Sequence, residues 1–274
     1  MENFTLKGGL SRMGVTYLGS VAHSAKMSAS YRNGTMTYCI YLSPWNLSGH
    51  NVCGGGQNCH KSCLVRSGRE KIQQFTYGTS NKVMASRIRK TRFFYDDRET
   101  FMQIMIHEIK RYQHKAERMN MDFSVRINGT SDLSPLLFRD IESGKNILEL
   151  FPNIQFYDYT KIPNRIKLMR EYPNYDVTFS FDGFNNASCE DYLKNGGRVA
   201  VVFYGNKLPK KFNGWKVIDG NKYDMRYLDE PQSVVGLHYH KTANDYYVND
   251  NGEREFREPN TPFVIMPNDP RCEW

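Results

Sequence analysis

A recurring series of short apolar runs restricts what this chain can fold into. Runs lie at residues 123–127, 154–157, 177–179, 199–203, 216–218 and 234–237. Their centres are roughly 16 to 31 residues apart, room for a helix or a compact turn between parallel strands. An earlier segment, TMTYCIYL at 35–42, is β-branched and aromatic and stops at Pro44 and Trp45, so it reads as a first strand. Residues 199–203 (VAVVF) are apolar throughout, as a strand covered on both faces should be.

Between these strands the pattern turns helical. From Lys82 to about Met119, Met84 and Ile88 stand four apart, and Phe101, Met105 and Ile109 repeat the spacing behind a capping Asp97. Residues 136–150, 165–171 and 188–195 also read as helices, the last stopped by Gly196 and Gly197. Repeating strand–helix units predict a parallel sheet with right-handed crossovers. The expected fold is α/β, a partial or open parallel (β/α) barrel of about six to seven strands, with a cysteine loop after the first strand. With 274 residues and no repeat, low-complexity tract or linker, one domain over 1–274 is expected. Its barrel core would span 35–241, and a Pro- and charge-rich tail at 249–274 would be irregular.

The six cysteines are unevenly placed, and Cys53, Cys59 and Cys63 fall in one Gly-rich loop spanning residues 49–63. Such clustering reads as metal or redox chemistry more readily than as crosslinking. Gly54, Gly55 and Gly56 permit the tight path three thiolates need to wrap one small object. A 4Fe–4S cluster suits soft thiolates and leaves one iron open. Zinc is the alternative, with His50, His60 or Cys39 as fourth ligand, and free thiols are the third reading. Cys39, inside an apolar strand, reads as a small buried hydrophobe.

The net charge of +8 also has an address. Lys61, Arg66, Arg69, Lys71, Lys82, Arg87, Arg89, Lys90 and Arg92 face a single acid, Glu70, while the rest of the chain is balanced. This segment, 61–92, predicts an anionic partner such as nucleotide or nucleic acid, with Arg66, Arg69, Arg87, Arg89 and Arg92 as phosphate contacts. A solvated helix face is the plainer reading. No stretch is apolar enough to span a membrane, and the first residues lack a secretory h-region, so no membrane partner and a cytoplasmic location in the cell are expected.

Polar residues gather where the strands end. They include Asn128, Thr130 and Asp132; Asp158 and Lys161; Ser180 and Asp182; Asp219 and Asp224; and His238, His240 and Lys241. Carboxyl ends of parallel strands open onto one ligand-binding face. Asp132, Asp158, Asp182 and Lys241 are the candidate catalytic groups.

The ordered motifs RIRKTRFFYDDRETF (87–101), VRINGTSDL (125–133), FYDYTKIPNR (156–165), YDVTFSFDG (175–183), VAVVFYG (199–205) and VIDGNKYDMRYLD (217–229) resemble the phage gene-product-88 family. The three-cysteine loop after a first strand is also similar, more loosely, to radical-SAM enzymes. That resemblance implies S-adenosylmethionine on the cluster, contacts from Asn128, Gly129, Thr130, Ser131, Asp132 and Ser180, and an electron donor as partner. The spacing departs from it, being C-x5-C-x3-C in place of C-x3-C-x2-C. The function expected first is an iron–sulfur, radical-SAM-like enzyme acting on a nucleotide or nucleic-acid-related substrate. Two others remain open: a zinc- or cluster-stabilised phage nucleic-acid-binding protein without catalysis, and a zinc-dependent barrel enzyme that modifies bases.

Overall fold

The computed structural model describes residues 4–21, 25–56, 59–63, 65, 81–242 and 245–274. In chain order it runs α1 (Leu6–Met13), β1 (Gly19–Ser20), α2 (Ala25–Arg32) and β2 (Thr35–Ile40). Two long helices follow, α3 (Lys82–Asp96) and α4 (Arg98–Arg118). Then come β3 (Asp122–Arg126), α5 (Ile147–Leu150), β4 (Gln155–Thr160), α6 (Ile166–Glu171), β5 (Tyr175–Ser180), α7 (Asn186–Lys194) and β6 (Arg198–Phe203). The chain ends with β7 (Lys211–Phe212), β8 (Trp215–Asp219), β9 (Val234–His238), β10 (Tyr246–Val248), β11 (Arg254–Phe256), β12 (Val264–Ile265) and β13 (Cys272–Glu273).

All seven apolar runs form strands, but not the expected barrel. The main sheet has eleven strands in the order β1-β2-β3-β4-β5-β6-β9-β8-β7-β13, with β12 on β6. Its centre is parallel from β2 through β9 to β8. Its margins are antiparallel: β1 on β2 at one side, β7 on β8 and β13 on β7 at the other. The expectation of a partial or open parallel (β/α) barrel of the radical-SAM kind is therefore corrected to an open, mixed sheet.

The physical reason lies in one hairpin. Asn213 and Gly214 both hold positive φ, 50° and 79°, the geometry of a tight turn whose twist matches paired strands. This reverses the chain into β8, and β9 then inserts between β6 and β8 rather than adding at the edge. Residues 249–274 are likewise not irregular, since they contribute β11, β12 and β13. β5 pairs only as far as Ala200, and β12 takes the edge beyond it at Val202 and Phe203. The expected helix at 136–150 is reduced to a 3-10 turn (Pro135–Leu137) and the single-turn α5, whose capping box uses Asn146 and Glu149.

Strand alternation gives the sheet two different faces. One presents Tyr38 and Ile40, Val125, Phe156, Val177 and Phe179, Val199 and Val201, and packs on Phe101, Met102, Met105 and Ile109 of α4. Asp97 joins the helices, accepting the Thr100 N–H at 3.1 Å as the cap of α4. The other face is polar: register sets Thr37 beside Ser124, Cys39 beside Arg126, Tyr157 beside Asp176 and Thr178 beside Arg198. Over it lie α2 and residues 223–229. Arg126 donates to Asp224 at 2.9 Å, the Tyr157 hydroxyl donates to the same carboxylate at 3.0 Å, and Lys26 donates to the Gly220 carbonyl at 2.8 Å. Burial pushes the Lys26 amine down to about 8. Burial alone would raise Asp224, but Arg126 and Lys26 outweigh it and hold its carboxyl below the ordinary value.

Candidate functional site

The carboxyl ends of β3 and β4 are fastened to each other by two of the acids that the sequence offers as catalysts, and the third closes the turn after β5. Asp132 accepts from Thr160 Oγ1 and from the Lys161 backbone N–H, both at 2.8 Å, with the Arg165 guanidinium 3.6 Å away. Asp158 accepts from the Asn128 backbone N–H at 2.9 Å and from Asn128 Nδ2 at 2.8 Å. Burial lifts the Asp158 carboxyl to about 6, against the pull of those two donors. Asp182 closes its own turn, accepting the backbone N–H groups of Phe184 and Asn185. The first two carboxylates are fasteners. Lys241 stands apart from them, its ammonium 4.1 Å above the Phe256 ring.

The segment after β3 is closed on itself as well. Asn128 Oδ1 accepts from Ser131 Oγ at 2.8 Å and from the Leu133 N–H at 2.9 Å. Thr130 Oγ1 donates to the Leu42 carbonyl. Gly129 lies so near β2 that a Cβ there would stand 2.6 Å from the Tyr41 ring and 2.8 Å from the Ile40 carbonyl oxygen. Asn128, Gly129, Thr130, Ser131 and Asp132 are thus one tightly bonded turn, which explains their polarity without a cofactor.

The cysteine loop folds over this turn, since the Asp132 N–H donates to the Val52 carbonyl at 2.7 Å. Its three thiols lie within electrostatic reach of one another but take different neighbours. Cys53 Sγ receives the Trp45 N–H at 3.3 Å and points at the Thr130 carbonyl, 3.9 Å away. Cys59 Sγ points at the Gly56 carbonyl at 3.5 Å. Cys63 packs on the apolar group of Leu47, Val65, Met84 and Ile88. Burial pushes the Cys53 thiol up to about 12 and raises that of Cys59, so both hold their protons at neutral pH. The rings of His50 and His60 stack on Tyr95 and Trp45, at 4.0 and 4.9 Å.

Among the described residues no group of three or more His, Cys, Asp or Glu is placed to hold a metal ion. The expected 4Fe–4S cluster or zinc at Cys53, Cys59 and Cys63 is corrected on that finding. S-adenosylmethionine goes with it, because its place depended on the cluster's open iron. Cys39 is buried in β2, where burial raises its thiol to about 12.

What the strand ends do present is Lys161. Its amine donates to Ser180 Oγ and lies 5.1 Å from the Phe263 ring centre. The Gly54–Gly56 loop runs directly against this residue, and a Cβ on Gly55 would meet the Lys161 carbonyl oxygen at 2.8 Å and its Cβ at 2.9 Å. Cys59 feels the Lys161 charge, which lowers its thiol against the larger effect of burial. Lys161, Ser180 and the glycine loop therefore form a half-buried mouth at the ends of β4 and β5.

The basic residues of α3 are largely spent on holding the fold. Arg87 is buried with its guanidinium 4.9 Å from the Tyr41 ring centre. Arg89 donates to the Gly14 carbonyl and Arg92 to the Ser48 carbonyl, each at 2.9 Å, and Lys90 donates to the Leu18 carbonyl at 2.7 Å. Arg66 and Arg69 lie outside the described residues. Sequence reasoning placed Asp224 at a strand end but missed Lys26 and the polar sheet face that joins it to Arg126, Tyr157 and Asp224. The alternation of polar and apolar residues through 124–128 carried that signal.

Fold and site define an open mixed-sheet α/β protein with a cationic mouth at the carboxyl ends of its central parallel strands. The chain belongs to the gene product 88 family, a family of phage proteins, whose model matches residues 18–254. The match runs from the segment entering β1 through the first residue of β11. No curated protein and no solved structure matches the chain. The radical-SAM resemblance finds no support in the comparisons, the sheet or the cysteines. No helix among the described residues is long and apolar enough to cross a membrane.

Proposed function

We propose that this phage protein binds a phosphate-bearing ligand, a nucleotide or a nucleic-acid strand, at the Lys161 mouth. The observation that carries the reading is that the glycine loop packs on the Lys161 main chain and Cβ while the Lys161 amine reaches Ser180 Oγ. A lysine beside a glycine-rich loop suits phosphate because the loop lets backbone and anion approach closely while the ammonium supplies charge. Gly54 has no atom within 4 Å of where a Cβ would stand, so the loop is open on its outer side. The neighbouring acids make no hydrogen bond to the Lys161 amine among the described residues: Asp132 accepts from Thr160 and the Lys161 N–H with Arg165 nearby, and Asp182 from its own turn, although Asp132 feels the Lys161 charge. The net charge of +8 favours an anionic partner over the whole surface.

The test is fluorescence anisotropy of labelled oligonucleotides and a labelled nucleoside monophosphate on the full chain, repeated across a salt series. Affinity should fall as salt rises, and Lys161→Ala should weaken binding roughly ten- to hundredfold, the loss expected for one charge-assisted contact. Absence of binding at low salt, or equal affinity in Lys161→Ala, overturns the reading.

A further inference from the structure

A second cavity opens beyond the end of β6, on the margin of the sheet reached by the same parallel strand ends. It has a volume of about 410 Å³ and is lined by Tyr204, Gly205, Asn206, Lys207, Pro267 and Trp274. None of these residues takes part in the Lys161 mouth. We propose that this cavity is a base-stacking subsite, in which a nucleobase lies against the aromatic walls and its phosphate meets Lys207. The inference takes from the reading above only that the ligand is a nucleotide, and gives this cavity to a separate nucleotide unit from the one at the Lys161 mouth.

Both aromatic walls are held before any ligand arrives. The Tyr204 backbone N–H donates to the Ile265 carbonyl at 2.8 Å, which ties the segment after β6 to β12. The Tyr204 ring pairs with Tyr239 at 6.3 Å. Trp274 is 43% exposed, yet its indole N–H donates to the Pro267 carbonyl at 3.0 Å and its own carbonyl accepts from Lys210 Nζ at 2.8 Å. An exposed indole fixed in this way loses little freedom when a flat ring lands on it. Stacking on aromatic side chains accepts any base, because every base offers a π face.

The floor of the cavity is bare backbone. Gly205 holds φ +100°, and no atom lies within 4 Å of where its Cβ would be, so a ligand can approach the main chain there. Lys207 is exposed and has no ion-pair partner among the described residues, whereas Lys211 is paired with Glu273 and Lys210 is bonded to Trp274. An aromatic wall, an open backbone and one unspent cation fit an anionic flat ring better than an aliphatic or cationic ligand.

The experiment follows tryptophan emission while the full-length protein is titrated with adenosine monophosphate, and in parallel with inorganic phosphate. The Trp274 signal is the difference between wild type and Trp274→Phe, which keeps an aromatic face but lacks the indole. Saturable quenching of that difference by the nucleotide, not by phosphate, is expected. Tyr204→Leu should shift the midpoint about tenfold upward. Lys161→Ala separates the two sites, for it should weaken binding at the mouth and leave Trp274 quenching intact. No nucleotide-dependent change at Trp274, or an unshifted midpoint in Tyr204→Leu, overturns the subsite even where mouth binding persists. Quenching by a proline-rich peptide in place of the nucleotide overturns it too and makes the cavity a peptide groove.

Discussion

Replacing Asp132 by alanine removes the carboxylate that joins the end of β3 to the end of β4. Two donors lose their acceptor, Thr160 Oγ1 and the Lys161 N–H, and Arg165 loses the negative charge 3.6 Å from it. Asp132 and Arg165 side chains are only 11% and 6% exposed, so water does not freely replace what is lost. Each hydrogen bond to a charged group is worth about 1.5–3 kcal/mol. Arg165 still donates to the Leu133 carbonyl at 2.8 Å, which limits the damage on its side. The expected cost is therefore about 3–5 kcal/mol in unfolding free energy, read as a lowered urea midpoint at unchanged slope. Asp132→Asn keeps one acceptor oxygen and should cost roughly half as much. Because Asp132 holds the backbone of Lys161, phosphate affinity should drop in the alanine variant as well. A stability loss below about 1 kcal/mol, or equal losses in the two variants, would refute the fastening role.

Two further outcomes follow from buried carboxylates elsewhere. Glu108 on α4 is fully buried and accepts from the Leu18 N–H at 3.0 Å, the Gly19 N–H at 2.9 Å and the Tyr38 hydroxyl at 2.8 Å. Glu108→Ala strands all three donors and should lower unfolding free energy by about 3–6 kcal/mol, with amide exchange at Gly19 accelerated; full protection there would contradict this. Asp158 is raised from 3.8 to about 6 by burial, so between those pH values the folded chain keeps a proton that the unfolded chain has released. Its contribution is present in full below the lower value and lost as pH rises through 6, up to about 3 kcal/mol. The difference in stability between wild type and Asp158→Asn should therefore change across pH 4–6, and a flat difference would count against it.

Much of the secondary structure was legible because it is written in local pattern. Seven apolar runs became seven strands, and Asp97 proved to be the joint between two helices, since capping and alternation act within a few residues. The hairpin at Asn213 and Gly214 was equally local, but it was not read, and that single turn changes where β8 and β9 sit. The segment at 136–150 misled for the opposite reason. Its apolar residues Phe138, Ile147 and Leu148 are buried, the first in an irregular stretch and the other two in α5, so periodicity predicted a long helix where only a single turn forms.

By itself the sequence determined which residues are apolar, where the chain turns, and that polar groups crowd the ends of the strands. Tertiary structure alone decided what those polar groups do. Composition cannot distinguish a carboxylate facing a ligand from one facing its own backbone, because the choice depends on which donors another strand brings within 3 Å. Asp132 and Asp158 found such donors and became fasteners, while Asp182 took donors from its own turn. Nor can spacing tell what three neighbouring thiols will contact, since Cys53, Cys59 and Cys63 each took a different neighbour once the loop was laid over β3 and β4. Lys161 stands out only in three dimensions, where the glycine loop packs on its main chain and the Ser180 hydroxyl of β5 meets its amine.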